Sequence, residues 1–180
     1  MGRAEIIRLI FAQADVPYED IRIKKEDWPT KFKQKMPFGQ VPVLEEDGKM
    51  LSQSTAIAMY LARKFGLTGE NQWEEAQVEE LFEAANDLIS HKELMAEFEK
   101  EHLIPMFNRL ENILVRNGTG YFVGKKLTAA DLNMLCIFGL FSSMFPNSAA
   151  EHTHLNQFKE RIMALPKIKK WIEIRPKTDL

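Results

Sequence analysis

The chain has 180 residues, 45% of them hydrophobic and 28% charged, and 24 Lys plus Arg against 26 Asp plus Glu give a formal charge of −2. That apolar content excludes a wholly disordered or collagen-like chain, and the length allows one ordinary domain or two small ones. The near-neutral balance argues against a phosphate-neutralising nucleic-acid surface. The single cysteine, Cys136, excludes an internal disulfide and a C-x-x-C pair, which suits a reducing compartment. Glu5 interrupts any apolar secretory stretch after Met1, and Ile6 stands where a myristoylation signal needs Ser or Thr. The most apolar window, Leu132 to Phe145, contains Asn133, Ser142 and Ser143 and falls short of a membrane span. A soluble cytoplasmic protein is expected.

Glu5 to Ala14 sets Ile6, Ile7, Ile10, Phe11 and Ala14 on one side at helical spacing, with Pro17 ending the helix. Tyr18 to Ile23 alternates in the manner of a short strand. Lys24 to Lys35, around Trp28-Pro29, reads as a loop or irregular helix. Val41-Pro42-Val43-Leu44 and Met50-Leu51 flank Asp47-Gly48, a strong hairpin signal. Pro42 marks either an edge strand beginning there or a cis Val41–Pro42 bond presenting the Val41 backbone. Ser54 is the expected N-cap of a helix over Thr55 to Lys64, closed by Gly66.

Residues 65 to 71 read as a linker, and everything beyond is helical in character. Glu74 to Ser90 and then His91 to Asn117 carry broad apolar faces, the second including Leu94 and Met95 and interrupted by Pro105. Thr128-Ala129-Ala130-Asp131 predicts a capping box at the start of a buried central helix. Leu155 to Leu165 and Pro166 to Ile174 complete the set.

No metalloprotease, P-loop or nucleophile-elbow motif occurs. His152 and His154, without Cys or acid partners nearby, read as solvated loop residues rather than metal ligands. Cys136 reads as a buried, inert thiol. Lys31, Lys33 and Lys35 read as a solvated face able to hold a small anion.

Together the residues resemble a sigma-type glutathione S-transferase, the group that includes prostaglandin D synthase and many nematode transferases. The likeness rests on Gly2 to Arg8, Tyr18-Glu19-Asp20, Asp27-Trp28-Pro29, Met36 to Glu45 and Asp47-Gly48. It continues through Gln53-Ser54, Tyr60 to Gly66, Gly120 to Gly124, Leu127 to Leu132 and Lys169 to Pro176. The resemblance implies an α+β thioredoxin-like N-terminal domain over 1–66 and an all-α C-terminal domain over 72–180. It also implies glutathione as co-substrate, with Gln53 and Ser54 gripping the γ-glutamyl end at a helix start. Val41, within the Gly39-Gln40-Val41 stretch, would pair through its backbone with the cysteinyl part, and Trp28 and Lys33 would hold the glycyl end. The Trp28 to Pro37 spacing is one residue longer than is usual, and Lys33 rather than Lys31 follows from counting back from Pro37. Asp87 would reach the glutathione of a partner subunit, which implies a homodimer.

In the family a strand carrying a thiol-binding tyrosine stands ahead of the first helix. Nothing precedes Met1 in this sequence, and Tyr18, Tyr60 and Tyr121 match other family positions. Arg3, matching an arginine that assists the thiolate, is the one catalytic residue the resemblance identifies. The stretch between Ser90 and Pro105 is about ten residues short of family spacing. The expected activity is transfer of the glutathione thiolate to hydrophobic electrophiles, with prostaglandin-type isomerisation as a variant. A thin N-terminal sheet predicts weak stability, weak dimerisation and low turnover. The alternatives are a non-catalytic glutathione or ligand binder, crystallin-like in role, and a truncated product of an active enzyme.

Overall fold

The computed structural model describes residues 2–91 and 95–176. Helix α1 (Glu5–Ala14) buries Ile6, Ile7, Leu9, Ile10 and Phe11 because it is covered on several sides, by helices of both halves of the chain. It stops one residue earlier than its proline would require. Asp15 turns left-handed at φ 59°, and the N–H groups of Asp15 and Val16 bond back to Ala12 and Phe11.

The strand expected over Tyr18 to Ile23 does not form. Its alternation survives, with residues 18, 20 and 22 half-buried and residues 19 and 21 exposed. A strand, however, needs a ladder partner as well as a pattern, and no strand among the described residues lies alongside it. Its inward positions make ion pairs instead, as Arg8 and Arg22 both bond Asp20. The polar stretch after it forms a π-helical turn (Trp28–Phe32) and a 3₁₀ turn (Lys33–Lys35), the irregular helix expected.

Strands β1 (Val43–Glu46) and β2 (Lys49–Ser52) pair antiparallel in the register Val43 with Ser52 through Glu46 with Lys49. The two-residue loop between them is Asp47-Gly48, at φ 50° and 73°, the positive pair that hairpin twist favours. Pro42 lies just before β1, and the Val41–Pro42 peptide is cis. Helix α2 (Ser54–Lys64) follows directly. Its N-cap is Gln53, not the expected Ser54, and Gln53 sits at φ 73°. The left-handed turn at Gln53 swings the chain from β2 straight into the helix, which makes Ser54 its first residue.

Helix α3 (Gln72–His91) starts where the Asn71 side chain accepts the Glu74 N–H at 3.0 Å. Leu94 lies outside the described residues. Helix α4 (Met95–Phe98), a π-helical turn (Glu99–Leu103) and α5 (Ile104–Asn117) then run continuously. Pro105 cannot donate to the carbonyl four residues before it, and the widened turn ahead of it accommodates that break. Helix α6 (Ala129–Met144) is the central element, packed against α1 and α3 and against the short helices α7 (Pro146–Ala150) and α8 (Thr153–Met163), while α9 (Pro166–Ile174) packs on α1 and α8. The predicted capping box is present: the Asp131 carboxylate accepts the Thr128 N–H and hydroxyl at 2.8 and 3.0 Å, and the Phe122 N–H at 2.8 Å. Burial pushes Asp131 up to about 6 against the pull of these three donors.

His152 departs from the solvated reading. It is buried, with Nδ1 at 2.8 Å from the Ser148 carbonyl and Nε2 at 3.2 Å from Asn108 Oδ1, and it lies edge-on to Phe107. His154 is exposed. Cys136 is half-buried rather than buried, and desolvation pushes its thiol up to about 12, which keeps it protonated and inert.

Candidate functional site

An open cleft forms where four segments meet: the turn before α1, the loop ahead of β1, the end of β2 and the start of α2. Arg3, Phe38, Gln40, Val41, Pro42, Ser52, Gln53 and Ser54 line it. Its enclosed part is only about 20 Å³, so a peptide-sized ligand would lie along it rather than inside it. Five of the nine residues singled out from the sequence converge here: Arg3, Gln40, Val41, Gln53 and Ser54.

The cleft is built to receive an anion at one end. The first-turn N–H groups of α2 have no helical acceptor, and the dipole of this eleven-residue helix favours negative charge there. The Ile57 N–H is the first to bond inside, to the Gln53 carbonyl at 2.9 Å. Gln53 at φ 73° carries a strained backbone in this wall, of the kind that gathers at binding sites. Arg3, exposed in the same lining, brings positive charge.

Gly39, Lys33 and Trp28 stand beside the cleft rather than in its lining. Gly39 adopts φ 58°, and a methyl group added there would touch Cγ and Cε of Lys33 at 3.6 and 3.7 Å. The Lys33 stem therefore lies over Gly39, next to Gln40. Trp28 is half-buried at the start of the π-helical turn, where its carbonyl accepts the Lys33 N–H. That i to i+5 bond takes up the one extra residue of this loop. Lys31 is engaged elsewhere, with its ammonium 2.7 Å from Asp27. Asp87 is exposed on α3, one residue after Asn86, whose side-chain N–H donates to Thr55 Oγ1 at 3.1 Å.

Phe38, Pro42 and Ser52 also line the cleft and were not singled out as site residues from the sequence. Phe38 and Pro42 fell within motif stretches, but nothing local marks Ser52, whose inclusion follows from the hairpin register.

None of the three tyrosines lines the cleft. The Tyr18 hydroxyl is buried near Asp20, and burial with that charge pushes it up to about 12. Tyr60 donates to Glu46, which also takes Lys64. Tyr121 lies on the helical half, under the Arg161 guanidinium. A larger surface cleft of about 290 Å³, between Leu114, Val115, His154, Phe158 and Arg161, contains none of the expected residues. No group of His, Cys, Asp or Glu among the described residues could hold a metal ion, and no helix among them is long and apolar enough to cross a membrane.

The family profile described as glutathione S-transferase, N-terminal domain, matches residues 1–63, and that described as glutathione S-transferase, C-terminal domain, matches 78–175. The chain is 42% identical to glutathione S-transferase 1 of Ascaris suum, over 98% of this chain and 93% of that protein. It is 34% identical to human hematopoietic prostaglandin D synthase, over 99% and 94%. Among solved structures, a monomeric glutathione S-transferase of the hookworm Necator americanus superposes with a TM-score of 0.91 at 37% identity, covering 99% of this chain and 95% of that one. The chain belongs to the glutathione S-transferase family.

Proposed function

We propose that the chain transfers the thiolate of glutathione to electrophilic carbon, with a thioredoxin-like unit over 1–66 holding glutathione and an all-helical unit over 72–180 completing the second-substrate side. The observation that carries this is the convergence of Arg3, Gln40, Val41, Gln53 and Ser54 on one cleft. The γ-glutamyl carboxylate meets Ser54 and the free N–H groups of α2, and the Val41 backbone pairs with the cysteinyl residue as an added strand would. Lys33, whose stem rests on Gly39 while Lys31 is held by Asp27, takes the glycyl carboxylate, with Trp28 beside it.

A thiol titrates near about 8.5 and is a weak nucleophile while protonated. Arg3 is the cation in the cleft, and placing it beside the sulfur favours the thiolate. The thiolate attacks the electrophilic carbon, the C–S bond forms as the leaving group departs, and the thiol proton goes to solvent. Isomerisation of a prostaglandin-type peroxide, in which glutathione is returned unchanged, is a second reaction for the same thiolate, supported by the likeness to human prostaglandin D synthase and to the rat enzyme complexed with a quinoline, at 33% identity and a TM-score of 0.91. A homodimer in which Asp87 serves the neighbouring subunit's glutathione fits the exposed apolar side chains of the first unit. The Necator relative, described as monomeric, makes the assembly a point to measure. A cytoplasmic location accords with reducing conditions for the thiol. Turnover of glutathione with a chromogenic aryl halide tests the reading, and Ser54→Ala and Arg3→Ala should each lower it.

A further inference from the structure

Ser52 is the last residue of β2, opposite Val43 in the hairpin, and it lies in the lining of the cleft. It is 8% exposed, and its Oγ is buried with no hydrogen-bond partner. Only one other side-chain oxygen or nitrogen among the described residues, the Tyr18 hydroxyl, shares that state. A buried hydroxyl without a protein partner is costly, and such a group in the wall of a cleft is a candidate to meet a ligand there. Ser52 lies between two stretches of the lining: Gln53 and Ser54 follow it in the chain, and Val41-Pro42 precedes Val43, its ladder partner on β1.

The geometry points to Ser52 as a further glutathione-binding residue, whose hydroxyl donates to the γ-glutamyl carbonyl oxygen of the amide joining γ-glutamate to cysteine. This rests on the reading of the cleft as the glutathione site. The tripeptide's carboxylates have partners at its two ends, and the cysteinyl backbone has Val41. With the cysteinyl N–H and C=O taken by Val41, the γ-glutamyl carbonyl is the group left to be met between Ser54 and Val41, where Ser52 stands in the lining. A serine hydroxyl both donates and accepts, and rotation about its one side-chain bond, among three staggered wells, carries it from the enclosed position toward the cleft. On this assignment the hydroxyl gains a partner outside the protein only in the complex, so its removal should weaken binding without weakening the fold.

The test is calorimetric titration of the full chain with S-methylglutathione, which takes thiol ionisation out of the measurement, alongside thermal unfolding without ligand. Ser52→Ala should weaken binding about three- to tenfold, the range of one hydrogen bond, while the melting temperature of the free protein stays level or rises. Ser52→Cys, close in size but a poor hydrogen-bonding group, should lose affinity in the same way and guards against a packing defect in the alanine variant. Ser52→Thr should keep most of the affinity. Unchanged affinity in both Ser52→Ala and Ser52→Cys, with affinity lost in Ser54→Ala, would overturn the assignment of Ser52 and leave the cleft as the glutathione site. A marked fall in melting temperature in both would also overturn it, by showing that the hydroxyl is already satisfied in the free protein. Absence of binding by the unaltered chain would overturn the reading of the cleft and this assignment together.

Discussion

The indole N–H of Trp171 donates to Oε1 of Glu5 at 3.0 Å, joining two residues 166 positions apart. Arg175 bonds the same oxygen at 2.6 Å, and Arg8 reaches the other at 3.5 Å. Arg8 in turn grips both oxygens of Asp20 at 3.1 Å, where Arg22 adds a bond of 2.8 Å. The end of α9 is thereby tied to the start of α1 and to the irregular segment after it. Glu5 also fixes the turn that carries Arg3, since its own N–H bonds the Gly2 carbonyl at 3.0 Å.

Removing the Glu5 carboxylate takes one acceptor from Arg8, which keeps Asp20, one from Arg175 and one from the Trp171 indole N–H. The Glu5 side chain is 5% exposed, whereas Arg8 and Arg175 keep 18% and 25%, so the loss falls at the lower end of that for a broken buried pair. Glu5→Ala should cost about 3 kcal/mol in urea unfolding, and Glu5→Gln less. A loss under about 1 kcal/mol would mean the two arginines find water or other partners.

Tyr18 responds to alkali with a defined sign. Its folded value, about 12, lies above the ordinary phenol value of about 10, with burial the main cause and the Asp20 charge second. The stability this confers is fully present below about pH 10 and lost as pH rises through about 12. Tyr18→Phe keeps the stack on Phe11, whose ring centre lies 4.5 Å away, and removes a hydroxyl with no partner. Melting temperatures from pH 8 to 12 should show the variant at least as stable at pH 8 and less sensitive to alkali. Parallel curves would contradict the shift.

Asp131 holds three donors, two of them backbone N–H groups of residues buried with it. Asp131→Ala loses the cap and leaves these groups unpaired, at a cost of about 3 kcal/mol by chemical unfolding. Thr128→Ala removes only the hydroxyl and should cost about 1 kcal/mol.

Lys33 and Lys31 differ by only two positions, yet their geometry separates them. Lys33→Ala should weaken glutathione binding several-fold, and added salt should narrow the difference, since both charges are exposed. Lys31→Ala, which breaks only an exposed pair with Asp27, should leave affinity unchanged. The reverse order would move the glycyl subsite by half a turn.

The legible parts of this molecule are those written in short-range pattern. Asp47-Gly48 specified its own turn type, Thr128 to Asp131 its own cap, and α1 showed its buried face; in α2 the expected Ile57 and Leu61 are buried, but Tyr60, expected with them, is exposed and turned to Glu46. The Gln53-Ser54 and Val41-Pro42 motifs located four of the cleft's residues. What escaped depended on distant partners or on backbone geometry. Tyr18 to Ile23 has the alternation of a strand, but a ladder is a relation between two segments. The cap at Gln53 depends on a left-handed backbone that a glutamine does not advertise. His152 looks solvated in sequence because Asn108, which meets it, is 44 positions away. Ser52 and Glu5 have no local signature either, as one is assigned by register and the other by the far end of the chain.

The central claim is that this cleft binds glutathione with its sulfur beside Arg3. Thiolate absorbance of bound glutathione, followed against pH in the unaltered chain and in Arg3→Ala, tests it most directly. The account predicts a thiol titrating below the ordinary value of about 8.5 in the unaltered chain and moving back toward it in the variant. A bound thiol titrating near 8.5 in both proteins would contradict the claim.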